Sequence, residues 1–119
     1  MYIIVLDTNI ILDTIKFKVD LFAELKRICN FNCTIAILDK TLKELENKPN
    51  SKLAFELLKK KKVKIIKTDK GYVDKLLLKL NKNYIIATND KELKNKLKKD
   101  NKKIITLRQK KYLITENVL

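Results

Sequence analysis

Four acidic residues, far apart in the sequence, lie beside apolar segments in a way that could bring them into one cleft. Asp7 ends the first apolar run, and Asp90 follows another such run after two polar residues. Glu44 and Asp74 flank the apolar faces of two predicted helices. Carboxylates gathered in one place raise each other's pKa unless a cation joins them. Because the chain has no histidine, such a site would offer oxygen donors, which select Mg²⁺ or Mn²⁺.

Each acid also has a purely structural explanation. An aspartate after a strand is ordinary turn chemistry, and an acid in the first turn of a helix, such as Asp74, favours the helix dipole. Glu44 could form a surface ion pair with Lys40 or Lys48, and such pairs contribute only ~0.2 to 0.5 kcal/mol. The convergence of the acids, rather than any one of them, therefore indicates a metal site.

Five short apolar runs predict the strands that position these acids. The runs are continuous rather than alternating, which is typical of strands covered on both faces of a parallel sheet. They are YIIVL (2–6), CTIAIL (33–38), VKII (63–66), YIIA (84–87) and KIITL (103–107). The crevice beyond the carboxyl ends of parallel strands is where ligands bind. We therefore expect Asp7 and Asp90 at that edge of the sheet.

Helical patterns alternate with these runs. Apolar residues recur at spacings of three and four in the segments 20–28, 38–46, 51–60, 73–80 and 89–99. Asn89, three residues before Glu92, predicts the N-cap of the last helix. The alternation predicts a three-layer α/β/α architecture with a mostly parallel sheet, and 119 residues suffice for one core, so we expect a single domain over 1–119.

The charge of the chain favours a polyanionic partner. It carries 28 Lys and Arg against 14 Asp and Glu, a formal net charge of +14, and long-range attraction to nucleic acid follows from such an excess. The abundance of lysine, isoleucine and asparagine is also what an AT-rich genome produces, so the charge alone does not identify RNA. The one glycine, Gly71, excludes glycine-rich nucleotide-binding loops.

The N-terminus and the two cysteines indicate where the protein works. The first apolar run is about six residues long, against the ~20 that a membrane span needs, and no basic segment precedes it. We expect a cytoplasmic protein without a membrane partner. Cys29 and Cys33 lack the further ligands of a zinc site, so we expect two free thiols in preference to a bridge.

Four short elements, in a fixed order, carry a resemblance to a known family. They are VLDTN at 5–9, KELE at 43–46, Asp74 on a leucine-rich helix, and ATNDKEL at 87–93. Together they resemble the PIN-domain ribonucleases over nearly the whole chain. Two further segments, 17–28 and 105–113, resemble a small archaeal branch related to the PIN nucleases of ribosomal RNA processing.

The resemblance implies a Rossmann-like PIN domain and a metal-dependent endoribonuclease whose products carry a 5′ phosphate and a 3′ hydroxyl. It implies that Mg²⁺ or Mn²⁺ is held by four acids, namely Asp7, Glu44, Asp74 and Asp90. The polar residues expected to support them are Asn9, Thr88 and Asn89. The third motif departs from the family pattern, which often has paired acids where this chain has Val73 before Asp74.

The resemblance also frames the biological role. We expect processing of ribosomal or other RNA, with a ribosome-assembly partner. The alternatives are the toxin of a toxin–antitoxin pair, with an antitoxin partner, and a catalytically silent RNA-binding module. Family members are often dimers, so a homodimer is a candidate assembly. Arg108 could bind an RNA phosphate or be a plain surface cation, and we expect Tyr112 to lie partly buried in a final strand.

Overall fold

The computed structural model describes residues 2–29 and 33–116, except for the side chain of Asp74. Within these residues, strands and helices largely alternate along the chain. The strands are β1 (Tyr2–Leu6), β2 (Cys33–Leu38), β3 (Lys64–Ile66), β4 (Tyr84–Ala87), β5 (Ile104–Arg108) and β6 (Tyr112–Glu116). The helices are α1 (Thr8–Lys16), α2 (Leu21–Cys29), α3 (Asp39–Leu45), α4 (Ser51–Lys60), α5 (Val73–Leu78) and α6 (Lys91–Lys99).

The strands form one sheet in the order β3-β2-β1-β4-β5-β6. The first five are parallel, and β6 runs antiparallel to β5. In the centre, Ile4 of β1 is paired with Ile35 of β2 on one side and Ile85 of β4 on the other. The carboxyl ends of β1 and β4 therefore lie side by side, and the predicted mostly parallel α/β sheet is confirmed.

The central strands are buried on both faces, as their continuous apolar sequences predict. Ile4 and Leu6 pack in one cluster with residues of α1, α2 and α4, whereas Val5 packs in a second cluster with residues of α5 and α6. This separation follows from the two-residue period of a strand, which sends neighbouring side chains to opposite faces. The sheet is thus sandwiched between two helical layers, in the predicted three-layer arrangement.

Three local features differ from the sequence-based expectations. The apolar residues after Asp7 form helix α1, which the sequence patterns did not identify. Edge strand β3 begins at Lys64 rather than at residue 63, and Ile65 is 51% exposed, so this strand is not covered on both faces. The predicted N-cap Asn89 is wrong, because Asp90 caps α6. Tyr112 is half-buried at the start of β6, as expected.

Cys29 and Cys33 form a disulfide between the end of α2 and the start of β2. The preferred expectation of two free thiols is therefore wrong. Their Cα atoms lie 5.8 Å apart, within the usual range for a disulfide, because the end of the helix and the start of the strand approach each other. No helix in the described ranges is long and apolar enough to cross a membrane.

Candidate active site

Asp7 is the buried anchor of the site. It follows β1, is only 4% exposed, and its Oδ1 accepts the backbone N–H of Thr8 at 2.9 Å, so that it caps helix α1. Its own N–H donates to the carbonyl of Ala87 at the end of β4. The chain therefore places a carboxylate directly after the buried end of β1 because that position is both a helix cap and the meeting point of two strand ends.

The other oxygen of Asp7 is held by the polar residues that were predicted to support it. Oδ2 accepts the hydroxyl of Thr88 at 2.7 Å and the side-chain amide of Asn9 at 3.2 Å. The Oδ1 atom of Asn9 in turn accepts the backbone N–H of Asn89 at 2.9 Å. These bonds fix the orientation of the carboxylate and join the start of α1 to the turn after β4.

Asn89 is connected to the Asp7 carboxylate through Asn9. Its amide donates to Oδ2 of Asp13 at 2.9 Å, and its Oδ1 accepts the N–H of Leu107 at 2.9 Å and the hydroxyl of Thr106 at 3.1 Å. The side chain thus ties α1, the turn after β4 and strand β5 together. This explains why Asn89 does not cap α6, since its side chain is used for tertiary contacts.

Asp90 is the second strand-end acid and the N-cap of α6. Its Oδ1 accepts the N–H groups of Glu92 at 2.9 Å and Leu93 at 3.2 Å. Its backbone N–H donates to the Thr88 hydroxyl oxygen at 3.1 Å. Within the described part of the chain, Oδ2 of Asp90 accepts no hydrogen bond, so this half-buried carboxylate keeps one oxygen for a ligand.

Glu44 reaches the site from helix α3. Its Oε1 accepts the hydroxyl of Thr8, the residue that follows Asp7. Neither of the surface ion pairs weighed for Glu44 is present among the described residues, and Lys40 pairs with Asp39 instead. Glu44 therefore contacts the neighbour of Asp7 rather than serving as one half of a solvated ion pair.

One cavity brings the three described acids together. It has a volume of about 340 Å³ and lies at the carboxyl edge of β1 and β4. Its lining residues are Asp7, Thr8, Asn9, Leu12, Glu44, Lys48 and Asp90. The fourth predicted acid, Asp74, lies in α5, but its side chain is outside the described part of the structure, so its role stays a prediction.

The cavity offers the oxygen donors that a hard divalent cation prefers. As they stand, no three of the described acidic or cysteine side chains are grouped closely enough to hold a metal ion. The oxygens on offer are nevertheless of one chemical type, and Oδ2 of Asp90 has no hydrogen bond within the described structure. Carboxylate oxygens of this kind are donors that suit a hard cation such as Mg²⁺ or Mn²⁺.

Another strand-end acid, Asp39, was not among the predicted site residues and has different contacts. Asp39 follows β2 just as Asp7 follows β1, but its Oδ1 accepts the Thr68 hydroxyl at 2.6 Å and its Oδ2 lies 3.4 Å from Nζ of Lys40. The Thr68 hydrogen bond, followed by the Thr68 backbone and Lys40, lowers the pKa of Asp39 to about 2. Asp39 does not line the acidic cavity, so a strand-end position alone does not make a site residue.

Arg108 and Lys48 are two basic residues that differ in their position relative to the cavity. Arg108 is exposed at the end of β5 and does not line the cavity, so its contact with RNA stays a prediction. Lys48, which the sequence suggests as an ion-pair partner of Glu44, lines the cavity instead. Its position, four residues after an acid of the site, is the one sequence signal that could have pointed to it.

Comparison with known proteins agrees with this geometry. Residues 4–110 match the model of a family described as PIN like domain. The chain is 40% identical to the ribonuclease VapC4 of Methanocaldococcus jannaschii, an alignment covering 94% of this chain and 95% of that protein. The structure of the PIN domain endonuclease Utp24 superposes with a TM-score of 0.87 and 26% identity, covering 99% of this chain and 93% of that one. The chain therefore belongs to the PIN-like domain family.

Proposed function

We propose that this protein is a metal-dependent endoribonuclease that hydrolyses RNA phosphodiester bonds. The observation that carries the proposal is the convergence of Asp7, Glu44 and Asp90 on one cavity at the carboxyl edge of the sheet. The names of its relatives, a ribonuclease and an endonuclease, support the same chemistry. The net charge of +14 supplies the attraction that a polyanionic substrate requires.

The acids of the cavity would have different roles in the reaction. A bound Mg²⁺ or Mn²⁺ would supply a Lewis acid for the phosphate and would lower the pKa of water. Asp7, held through both oxygens, and Asp90, with one oxygen engaged as a cap, are the expected ligands. Glu44 is held through Oε1 by Thr8, and we assign it either to the ion or to accepting the proton of the attacking water. Asp74 is the fourth proposed ligand.

The decisive experiment is a cleavage assay on Asp7→Asn beside the wild-type protein. Asparagine caps helices about as well as aspartate, so the variant should keep its fold, which thermal unfolding checks. We expect the wild type to cleave RNA in Mg²⁺ or Mn²⁺, to leave 5′ phosphates at mapped ends, and to be inactive in EDTA. Asp7→Asn should bind the RNA and not cleave it.

A matched control distinguishes the effect of changing a cavity residue from the effect of removing a negative charge elsewhere. Asp100→Asn changes an exposed aspartate at the C-cap of α6, outside the cavity, and should cleave like the wild type. Wild-type protein that gives no cleavage above the EDTA background on several single-stranded and structured RNAs would contradict the proposal. RNA binding without cleavage would then favour the silent RNA-binding module.

We place this activity in RNA processing, of ribosomal or other RNA, on the strength of the two sequence segments described above. The similarity to ribonuclease VapC4 favours a second candidate role, the toxin of a toxin–antitoxin pair. Controlled expression in growing cells separates the two. If the protein is a toxin, expression of the wild type should arrest growth and expression of Asp7→Asn should not. If it is a processing nuclease, expression of either protein should leave growth unchanged.

A further inference from the structure

Lys48 is a cation in an otherwise acidic cavity. Asp7, Glu44 and Asp90 line the same cavity, and Lys48 is the one basic residue among its lining residues in the described structure. The residue is exposed and makes no ion pair within the described ranges, unlike Lys40, which pairs with an acid. Its charge is therefore available to something that enters the cavity.

The backbone at Lys48 is held in place by the turn between α3 and α4. Its N–H donates to the carbonyl of Leu45 at 3.1 Å, and its carbonyl accepts the N–H of Ser51 at 3.2 Å. Pro49, which follows, further restricts the conformation of Lys48. The start of the side chain is thus fixed at the edge of the cavity, although the side chain itself is solvent-exposed.

Lys48 forms no ion pair with its obvious partner, Glu44, among the described residues. Glu44 lies one helical turn earlier, at the spacing that commonly forms an ion pair. Its Oε1 accepts the hydroxyl of Thr8 instead, and no ion pair with Lys48 is found among the described residues. A lysine that merely balanced this carboxylate would be expected to contact it.

The acidic cavity repels the phosphates of an RNA strand, and the positive charge of Lys48 reduces this repulsion. Three carboxylates repel the phosphate that must come close to them, and even a divalent cation leaves a net negative charge there. A positive side chain on the rim lowers this repulsion and can donate hydrogen bonds to phosphate oxygens, as lysine commonly does. Its charge then counts most where the phosphate takes on further negative charge.

We propose that Lys48 contacts a non-bridging oxygen of the scissile phosphate. The inference rests on the proposed ribonuclease function and adds a substrate-binding residue to it. The test compares Lys48→Gln, which keeps much of the side-chain length without the charge, with Lys48→Arg, which keeps the charge. Lys52→Gln in the first turn of α4 is the matched control, because Lys52 is exposed and does not line the cavity.

We expect Lys48→Gln to lower kcat/KM for RNA cleavage by about 10-fold to 100-fold, the range for losing a hydrogen bond to a charged group. Lys48→Arg should recover a large part of this loss, and Lys52→Gln should match the wild type. The Mg²⁺ concentration at half-maximal rate should not rise in Lys48→Gln, because removing a positive charge from the cavity does not weaken the binding of another cation. Cleavage by Lys48→Gln at the wild-type rate would overturn the inference. A loss of activity in Lys48→Gln that is restored by a higher Mg²⁺ concentration would also overturn it.

RNA binding provides a second measurement that does not depend on turnover. In the Asp7→Asn background, adding Lys48→Gln should reduce the slope of log affinity against log salt concentration by about 0.7, the value for one phosphate contact on a single strand. An unchanged slope would contradict the contact. If the wild type cleaves no RNA, the ribonuclease proposal fails by itself, while this slope still decides whether Lys48 binds a phosphate.

Discussion

The hydroxyl of Thr88 donates a 2.7 Å hydrogen bond to Oδ2 of Asp7, and the same hydroxyl oxygen accepts the backbone N–H of Asp90 at 3.1 Å. Thr88 is fully buried, with 0% of its surface exposed. One threonine therefore links the two strand-end acids and sets their relative position. A hydroxyl group can do this because it donates and accepts at the same time.

The first prediction concerns Thr88→Val, which keeps the shape of the side chain and removes the link. The variant should lower the free energy of unfolding by about 1 to 3 kcal/mol, because the Asp7 carboxylate and the Asp90 N–H each lose a buried partner. Cleavage should fall by up to about 100-fold through displacement of the acids. Denaturant unfolding and kcat/KM measure the two effects, and Thr88→Ser, which keeps the hydroxyl, should restore both.

The second prediction separates positioning from stability at Glu44. Thr8→Val removes the hydroxyl that holds Oε1 of Glu44. Because Glu44 is exposed, its carboxylate can return to water, and we expect a change in unfolding free energy below about 0.5 kcal/mol. We expect kcat to fall by about tenfold or more, since the carboxylate is no longer held over the cavity. Equal kcat in Thr8→Val and the wild type would show that this contact has no part in catalysis.

The third prediction is that the free energy of unfolding depends on pH through Asp39, which lies outside the cavity. The Thr68 hydroxyl, its backbone and Lys40 lower the pKa of Asp39 from 3.8 to about 2 in the folded protein. A carboxyl whose pKa is lowered by folding stabilises the fold above about pH 4, and this contribution is lost as the pH falls from about 4 towards 2.

Asp39→Asn should therefore be less stable than the wild type at pH 6, and the difference should shrink as the pH falls to about 2. Urea unfolding at several pH values measures this difference. Thr68→Val removes the largest cause of the lowered pKa and should reduce the same pH dependence. A difference between wild type and Asp39→Asn that stays constant from pH 6 to pH 2 would contradict the assignment. Cleavage at neutral pH should be unchanged in Asp39→Asn.

Particular residues show how far the sequence could predict this protein. Asp7 and Asp90 were placed correctly because carboxyl ends of parallel strands share an edge, a rule that needs only the apolar runs. Helix α1 was missed because Ile10, Ile11 and Leu12 are as continuously apolar as a strand. The sequence also favoured Asn89 as the cap over Asp90, because Glu92 follows Asn89 by three residues, as in a capping box. Only the contacts of Asn89 with α1 and β5 decide between them, and these join residues distant in sequence.

The fourth prediction tests that network through Asn89 and Asp13. The Asn89 amide donates to Oδ2 of Asp13 at 2.9 Å, so Asn89→Asp replaces a donor with a second carboxylate at hydrogen-bond distance. We expect the free energy of unfolding at pH 7 to fall by about 1 to 4 kcal/mol, the range for two like charges about 4 Å apart near a protein surface. The N–H of Leu107 keeps its acceptor in this variant, because a carboxylate oxygen replaces Oδ1.

The double variant Asp13→Asn with Asn89→Asp separates the charge repulsion from other effects of the substitutions. In it, residue 13 carries the amide donor and residue 89 carries the single carboxylate. It should regain most of the stability lost in Asn89→Asp, and Asp13→Asn alone should lose less than Asn89→Asp alone. Denaturant unfolding of the four proteins completes the double-mutant cycle. If the two substitutions prove additive, the bond between Asn89 and Asp13 does not couple α1 to the turn after β4. The link between these two segments then depends on the Thr88 hydroxyl and on the Asn89 backbone N–H, which donates to Asn9.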